Sequence, residues 1–392
     1  MRGANRLEAI PLYPFVHIQQ RVRELKAKGI RPIDFGVGDP RIPTPEFIRR
    51  AAAQGIEKHR LSGYPTYDGS PELRRAIAAW YERRFGVRLD PDAEICVTIG
   101  SKEAVFNVHE GFVDPGDVVF GPSPGYPPYR LGTLFAEGVY VPYAVEAASR
   151  YLPALQTLPR DHLERGKIFW VNYPHSPTGR VATRSELEVI ARFCRDRDLL
   201  LFSDEAYSEL YFTEEAPHSA LELGKEGVLA FNSLSKRSAM TGYRVGFVAG
   251  DSRLVAIFKR VKSNVDSGTP WFVQEAAIAA LQDEEHVAAM RAEYRRKGER
   301  LAQAFERLPL ERCFPQGAIY LWQEAPEGWD GQRFANRLLE PDVALVVTPG
   351  SLLAEPVDGR NPGERFVRLA LVPQADEIEE AVRRLERLRI SC

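Results

Sequence analysis

The chain has 392 residues, 44% of them hydrophobic, with a formal net charge of −2 at neutral pH. That length suits one large domain with a smaller partner, and the charge balance excludes a basic field that could hold nucleic acid or an anionic membrane. Cys96, Cys194, Cys313 and Cys392 lie far apart with no Cys-x-x-Cys pair, which argues against a disulfide framework or a structural zinc site and fits a reducing compartment.

In chain order, the N-terminal MRGANRLEAIPLYPF lacks the apolar core of a signal peptide. No later apolar run approaches the length of a membrane span, so a cytoplasmic protein is expected. The first forty residues read as an arm. A series of short apolar runs follows: EICVTIG, DVVFGP, GVYVPYA, KIFWVNYP, LLLFSDEAY, VLAFNSLSK and RVGFVAG. Several show no polar alternation, as expected of strands covered by helices on both faces. Between them SKEAVFNVHEGF and RSELEVIARFCRDRD carry apolar residues at helical spacing. Alternating strand and helix predicts an α/β fold with a mostly parallel, doubly wound sheet. From about Gln282 the texture changes to a long amphipathic helix, strand-like AIYLW and FVRLALV, and a closing helix. The expected division is 1–45 for the arm and part of a small domain, 46–280 for the large domain and 281–392 for a small α+β domain.

The generic chemical motifs are absent. GVGDPR lacks the third glycine of a dinucleotide fingerprint, and no G-x-x-x-x-G-K-[ST], H-E-x-x-H or G-x-S-x-G occurs. Seven scattered histidines predict no metal site.

What remains is a set of polar residues, each just past the end of a predicted strand. Ser101 and Lys102 open a helix after EICVTIG. Tyr126 follows DVVFGPSP, and Asp204 and Tyr207 follow LLLFS. Ser233, Ser235 and Lys236 follow VLAFN, with Arg244 eight residues beyond the lysine. The turn NYPHSPTGR, stiffened by Pro174 and Pro177 and freed at Gly179, adds Ser176. In a parallel sheet these ends face one crevice. Singly, each has a plain structural role: Asp204 or Ser101 as a helix cap, Tyr126 as turn packing, Lys236 and Arg244 as surface charges. Jointly, those roles would be six unrelated accidents on one rim. Pyridoxal phosphate accounts for the set. It needs a lysine for a Schiff base, a carboxylate for its ring nitrogen, donors around its phosphate, an aromatic face and a polar partner for its phenolic oxygen. Lys236, Asp204, the group Ser101, Ser233 and Arg244, Tyr126 and Tyr207 supply these in turn.

At these residues the chain resembles the fold-type I aminotransferases of the aspartate aminotransferase class. SLSKRSAMTGYRVGF is similar to that family's lysine motif, DEAY to its Asp-x-x-Tyr pair and NYPHSPTG to its Asn-Pro-Thr-Gly turn. GDPRIPTP resembles its N-terminal substrate loop, and YPTYDGSPELRRAIA its helix entry near the dimer interface. IPLYPF, WYERRFGV and PGYPPYRLGT resemble more closely the LL-diaminopimelate and succinyldiaminopimelate aminotransferase branch. The resemblance implies a fold-type I architecture with a seven-stranded sheet. It implies that Gly38 meets the substrate carboxylate by its backbone and that Arg368 pairs with the same group. It further implies that Tyr64 reaches the phosphate of a neighbouring subunit, hence a homodimer with shared sites. Two departures stand out. Arg237-Ser238-Ala239 replaces small polar and aromatic residues after the lysine, and Ser176 replaces the asparagine that contacts the phenolic oxygen.

The activity expected is ping-pong amino transfer from an amino acid to a 2-oxo acid, in lysine biosynthesis if the closer resemblance carries over. Lys236 would move the proton, and Arg41 or Arg130 would read the substrate's distal group. A carbon–sulfur β-lyase on the same scaffold begins with the same proton loss and is the alternative. A cofactor-sensing regulator would need an attached DNA-binding module; because the fold is expected to begin within about the first dozen residues, this is the least favoured reading.

Overall fold

The computed structural model describes residues 3–10, 16–308 and 310–390; Pro11 to Phe15 of the IPLYPF motif and Cys392 lie outside the described residues. Twelve strands are described, in chain order β1 (Ile33–Asp34), β2 (Ile95–Thr98), β3 (Val118–Ser123), β4 (Val139–Ala144), β5 (Gly166–Asn172), β6 (Leu200–Asp204), β7 (Val228–Ser233), β8 (Gly246–Gly250), β9 (Tyr320–Glu324), β10 (Leu345–Val346), β11 (Thr348–Pro349) and β12 (Phe366–Ala370). Seven form one sheet in the order β2-β8-β7-β6-β5-β3-β4. Neighbours from β7 to β4 run parallel, and β8 lies antiparallel to both β7 and β2.

The continuous apolar runs have the expected cause. Along β5, Phe169 and Val171 pack into one buried cluster, while Ile168 and Trp170 pack into another with Phe202 and Phe231. Side chains alternate between the faces, and both faces are covered, so no polar position is left. The covering helices carry their own start signals. Ser70 caps Pro71–Phe85 by accepting from the Leu73 N–H, and Thr183 with Glu186 forms a capping box on Arg184–Arg195. One reading needs correction. SKEAVFNVHEGF is two helices, Ser101–Asn107 and His109–Phe112, joined at Val108.

Beyond the seven-stranded sheet, β11-β12-β9 form an antiparallel sheet and β1 pairs in parallel with β10. The helices Glu285–Glu306 and Ala375–Leu385 share a separate buried cluster with these strands, including Leu301, Phe305, Leu321, Val367 and Ile378. Ile33 and Phe35 belong to the same cluster, so the segment around β1 is held by residues more than 300 positions later. Among the described residues no helix is long and apolar enough to cross a membrane, and no group of metal-ligating side chains gathers.

Register sets the crevice. Asn172 at the end of β5 lies opposite Asp204 at the end of β6, and β7 runs on past them to Ser233. The C-terminal strand ends therefore open on one level, facing Gly38 and β9 and β12 of the second sheet.

Candidate active site

A cavity of about 340 Å³ occupies that level. Gly38, Ser101, Lys102, Tyr126, Ser176, Asp204, Tyr207, Ser233, Ser235, Lys236, Arg244 and Arg368 all line it. Tyr64 does not; it stands 88% exposed beside another hollow with Ile56, Trp271 and Phe272. Arg41 and Arg130 are not among the cavity's lining residues either. Each reaches a carboxylate at 3.5 Å, Arg41 that of Glu377 and Arg130 that of Glu355.

The lysine is presented by a short helix, Leu234–Arg237, that begins where β7 stops. Ser233 caps it by accepting from the Ser235 N–H at 3.2 Å. Lys236 Nζ donates to the Gly38 carbonyl. Burial holds the amine below the usual lysine range, with Arg368 and Arg244 pushing the same way and Tyr320 and Asp39 opposing. A lysine amine whose pKa is lowered in a cavity is better suited to exchange a proton there than an exposed one.

Asp204 is buried at the end of β6. Its Oδ2 accepts from the Tyr129 hydroxyl at 2.7 Å and its Oδ1 from the Ala206 N–H at 3.1 Å. Turns, not a helix, follow it, so the helix-cap reading of Asp204 is wrong and the residue shapes a turn instead. Burial pushes its pKa from 3.8 to about 6 against both hydrogen bonds. Among the described residues Asp204 forms no ion pair. A buried carboxylate with no cation beside it calls for a cationic group in the cavity.

At the other end, Gly100, not Ser101, is the cap residue of Ser101–Asn107. Its φ of +73° favours glycine, and a Cβ there would collide with the Arg244 guanidinium. Gly100 thus lets Arg244 lie against the chain, donating to the carbonyls of Thr241 at 2.8 Å and Ile99 at 3.5 Å. The guanidinium, the Ser101, Ser233 and Ser235 hydroxyls and the Lys102 amine form one polar end, suited to a phosphate.

Ser176 sits in a turn tied to Asp204. Asn172 accepts from the Ser176 N–H at 2.8 Å and donates to the Asp204 carbonyl at 2.9 Å. The turn closes through Gly179 N–H to His175 O and His175 N–H to Arg180 O, both at 2.8 Å. Arg368, on β12, donates through Nη2 to the Gly36 carbonyl at 2.8 Å, while its buried Nε has no partner. The Arg368 side chain lines the cavity, and an arginine fork there suits a carboxylate.

Sequence reasoning missed Tyr129, Asn172 and Tyr320. Asn172 opens the NYPHSPTGR turn at a strand end and was legible there. Tyr129 and Tyr320 carry no local signal, because their partners Asp204 and Tyr207 lie 75 and 113 residues away.

The donor set fits pyridoxal phosphate: a buried amine, a buried carboxylate with no cation beside it, a polar end with an arginine, and a second arginine on the cavity wall for a substrate carboxylate. A family model described as aminotransferase class I and II matches residues 30–385. An LL-diaminopimelate aminotransferase of Aquifex aeolicus (strain VF5) is 37% identical over 390 residues, covering 99% of each chain. Another LL-diaminopimelate aminotransferase, from Dehalococcoides mccartyi, is 38% identical over 98% of each chain. The structure of a single mutant of Thermus thermophilus aspartate aminotransferase superposes with a TM-score of 0.90 at 29% identity, covering 99% of this chain and 100% of that one.

Proposed function

The chain belongs to the class I and II aminotransferases, pyridoxal-phosphate enzymes that move an amino group from an amino acid to a 2-oxo acid, and on that premise we propose that its amino donor is of the diaminopimelate type. The full-length relatives named for that donor support the substrate class. The observation that carries the site reading is the shared cavity itself, which Lys236, the buried Asp204 with no cation beside it, and Arg368 line together.

Bound there, pyridoxal phosphate supplies an electron sink for the charge left when the substrate's Cα–H bond breaks. The chain's own groups do the rest. Lys236 holds the cofactor at rest, and its Nζ then takes the proton from the substrate α-carbon. Asp204 would keep a negative charge for the ring nitrogen. Arg244, Ser101, Lys102, Ser233 and Ser235 would hold the phosphate, Tyr126 would supply an aromatic face, and Tyr207 and Ser176 would serve the phenolic oxygen. Arg368 and the Gly38 backbone orient the substrate's α-carboxylate. Val37 and Leu353 bring apolar surface to the cavity wall and help exclude water.

The same reading takes the molecule as a cytoplasmic homodimer in which Tyr64 is lent to the neighbouring site. Exposed Ile56, Leu61, Tyr64, Val265 and Phe272 give an apolar face suited to a second copy. The division at 1–45, 46–280 and 281–392 is supported by the separate cluster that joins Ile33 and Phe35 to the C-terminal strands.

The test is a donor screen with 2-oxoglutarate as acceptor. LL-diaminopimelate should form glutamate with a kcat/KM at least roughly tenfold above that of aspartate or alanine. Equal or better use of aspartate or alanine would sink the substrate assignment. Release of pyruvate and thiol from cystathionine with no acceptor present would sink the amino-transfer reading in favour of a lyase.

A further inference from the structure

Tyr320 begins β9 and is 4% exposed, yet it lines the cavity. Its hydroxyl lies 2.9 Å from that of Tyr207, and the two rings meet edge to face at 5.8 Å. The Arg368 guanidinium covers the Tyr320 ring, 4.6 Å from its centre. Gly38 leaves the space the hydroxyl occupies, since any side chain there would collide with it.

The charges around the pair differ from one hydroxyl to the other. At Tyr320 burial opposes ionisation, but Arg368, Lys236 and hydrogen bonds from Tyr207 and Ser176 outweigh it, and the phenol is more acidic than usual. At Tyr207 burial, Tyr320 and Asp204 together hold the phenol well above the usual range against Arg368. Either hydroxyl of the pair can donate. An acceptor on the far side of Tyr207 would engage the Tyr207 proton and leave its oxygen to accept from Tyr320, and hydroxyls in such a chain polarise one another. Ser176 stands beside the same pair, and its hydroxyl is shorter in reach than the asparagine amide expected at that position.

We propose that Tyr320 is a positioning residue for the cofactor's phenolic oxygen, acting through Tyr207 and Ser176 in place of a direct asparagine amide. The proposal rests on reading the cavity as the cofactor site. It predicts that the loss of one hydroxyl on β9 is felt at the cofactor and that an amide at position 176 makes that hydroxyl dispensable.

The experiment uses the full-length enzyme loaded with pyridoxal phosphate and follows the pH midpoint of its visible absorbance. Tyr320→Phe keeps the ring under Arg368 and removes only the hydroxyl. The midpoint should rise by about one pH unit, the equivalent of one hydrogen bond to a charged oxygen. Adding Ser176→Asn to Tyr320→Phe should return it to within about 0.3 units of wild type. An unmoved midpoint in Tyr320→Phe, or a shift that Ser176→Asn does not reverse, overturns the proposal. Wild-type protein that takes up no cofactor overturns the site reading itself, and this proposal with it, before any variant is compared.

Discussion

Replacing Asp204 by asparagine keeps the shape of the cavity floor and removes its charge. In the chain without cofactor the Asp204 carboxyl is raised from 3.8 to about 6 by burial. A shift of about two units corresponds to ~3 kcal/mol. The folded chain binds this proton more tightly than the unfolded chain. The stabilisation is therefore fully present below pH 3.8 and is lost as the pH rises through about 6. Between pH 5 and pH 7.5 the same linkage gives a loss of about 1.4 kcal/mol from this group. Urea unfolding of the cofactor-free protein at those two pH values should show that loss in wild type and not in Asp204→Asn. Loading with pyridoxal phosphate should cancel the loss in wild type, because a protonated ring nitrogen then pairs with the carboxylate, and should leave the variant unchanged. Turnover of the variant should fall by at least about 100-fold, the scale of one lost charge contact in a closed site. Parallel pH dependence of the two cofactor-free proteins would refute the reasoning, since Asp204 would then not be an unpaired buried charge.

Gly100→Ala forces a Cβ against the Arg244 guanidinium at a left-handed position; cofactor loss on dialysis should be faster by about tenfold, ~1.4 kcal/mol, and an unchanged loss rate would count against Arg244 as a phosphate ligand. Arg237, beside the lysine, is buried and donates to the Ala280 carbonyl at 2.7 Å and to Glu284 at 2.6 Å. Arg237→Ala should lower the urea-derived stability by about 2–3 kcal/mol, less than a fully buried pair because Glu284 is half-exposed; a loss under about 0.5 kcal/mol, the scale of an ordinary surface substitution, would show that the contact is dispensable. For the substrate's distal group, Arg130 is favoured over Arg41, because it rides on the helix Pro127–Phe135 whose first residue lines the cavity. Arg130→Ala should raise KM for diaminopimelate more than for alanine with kcat little changed, and equal effects on both substrates would remove it from the specificity argument.

The strands and the rim were legible because both follow from local chemistry. KIFWV, LLLF and VLAF are apolar on both faces because helices cover both faces of the sheet, and a chain leaving such a strand must place polar groups where it turns. That alone places Ser176, Asp204 and Lys236 on one rim. The contacts that tune those residues were not legible. Tyr129 reaches Asp204, and Tyr320 reaches Tyr207, only after strands distant in sequence have paired. AIYLW reads as strand whether or not its tyrosine faces a cavity. The plain alternative for Ser101, a helix cap, does not hold for a backbone reason: Gly100, with its positive φ, takes the cap position, and its lack of a side chain leaves room for an arginine 144 positions away in the chain.

The central claim is that Lys236 holds the cofactor in this cavity, and borohydride reduction followed by peptide mapping tests it directly. The purified protein should be yellow, and reduction should fix pyridoxal phosphate to a single peptide, the one containing Lys236. Lys236→Ala should show no fixed label and no amino transfer while still binding the cofactor reversibly through its phosphate contacts. Label fixed on any other peptide, or label persisting in Lys236→Ala, would contradict the account.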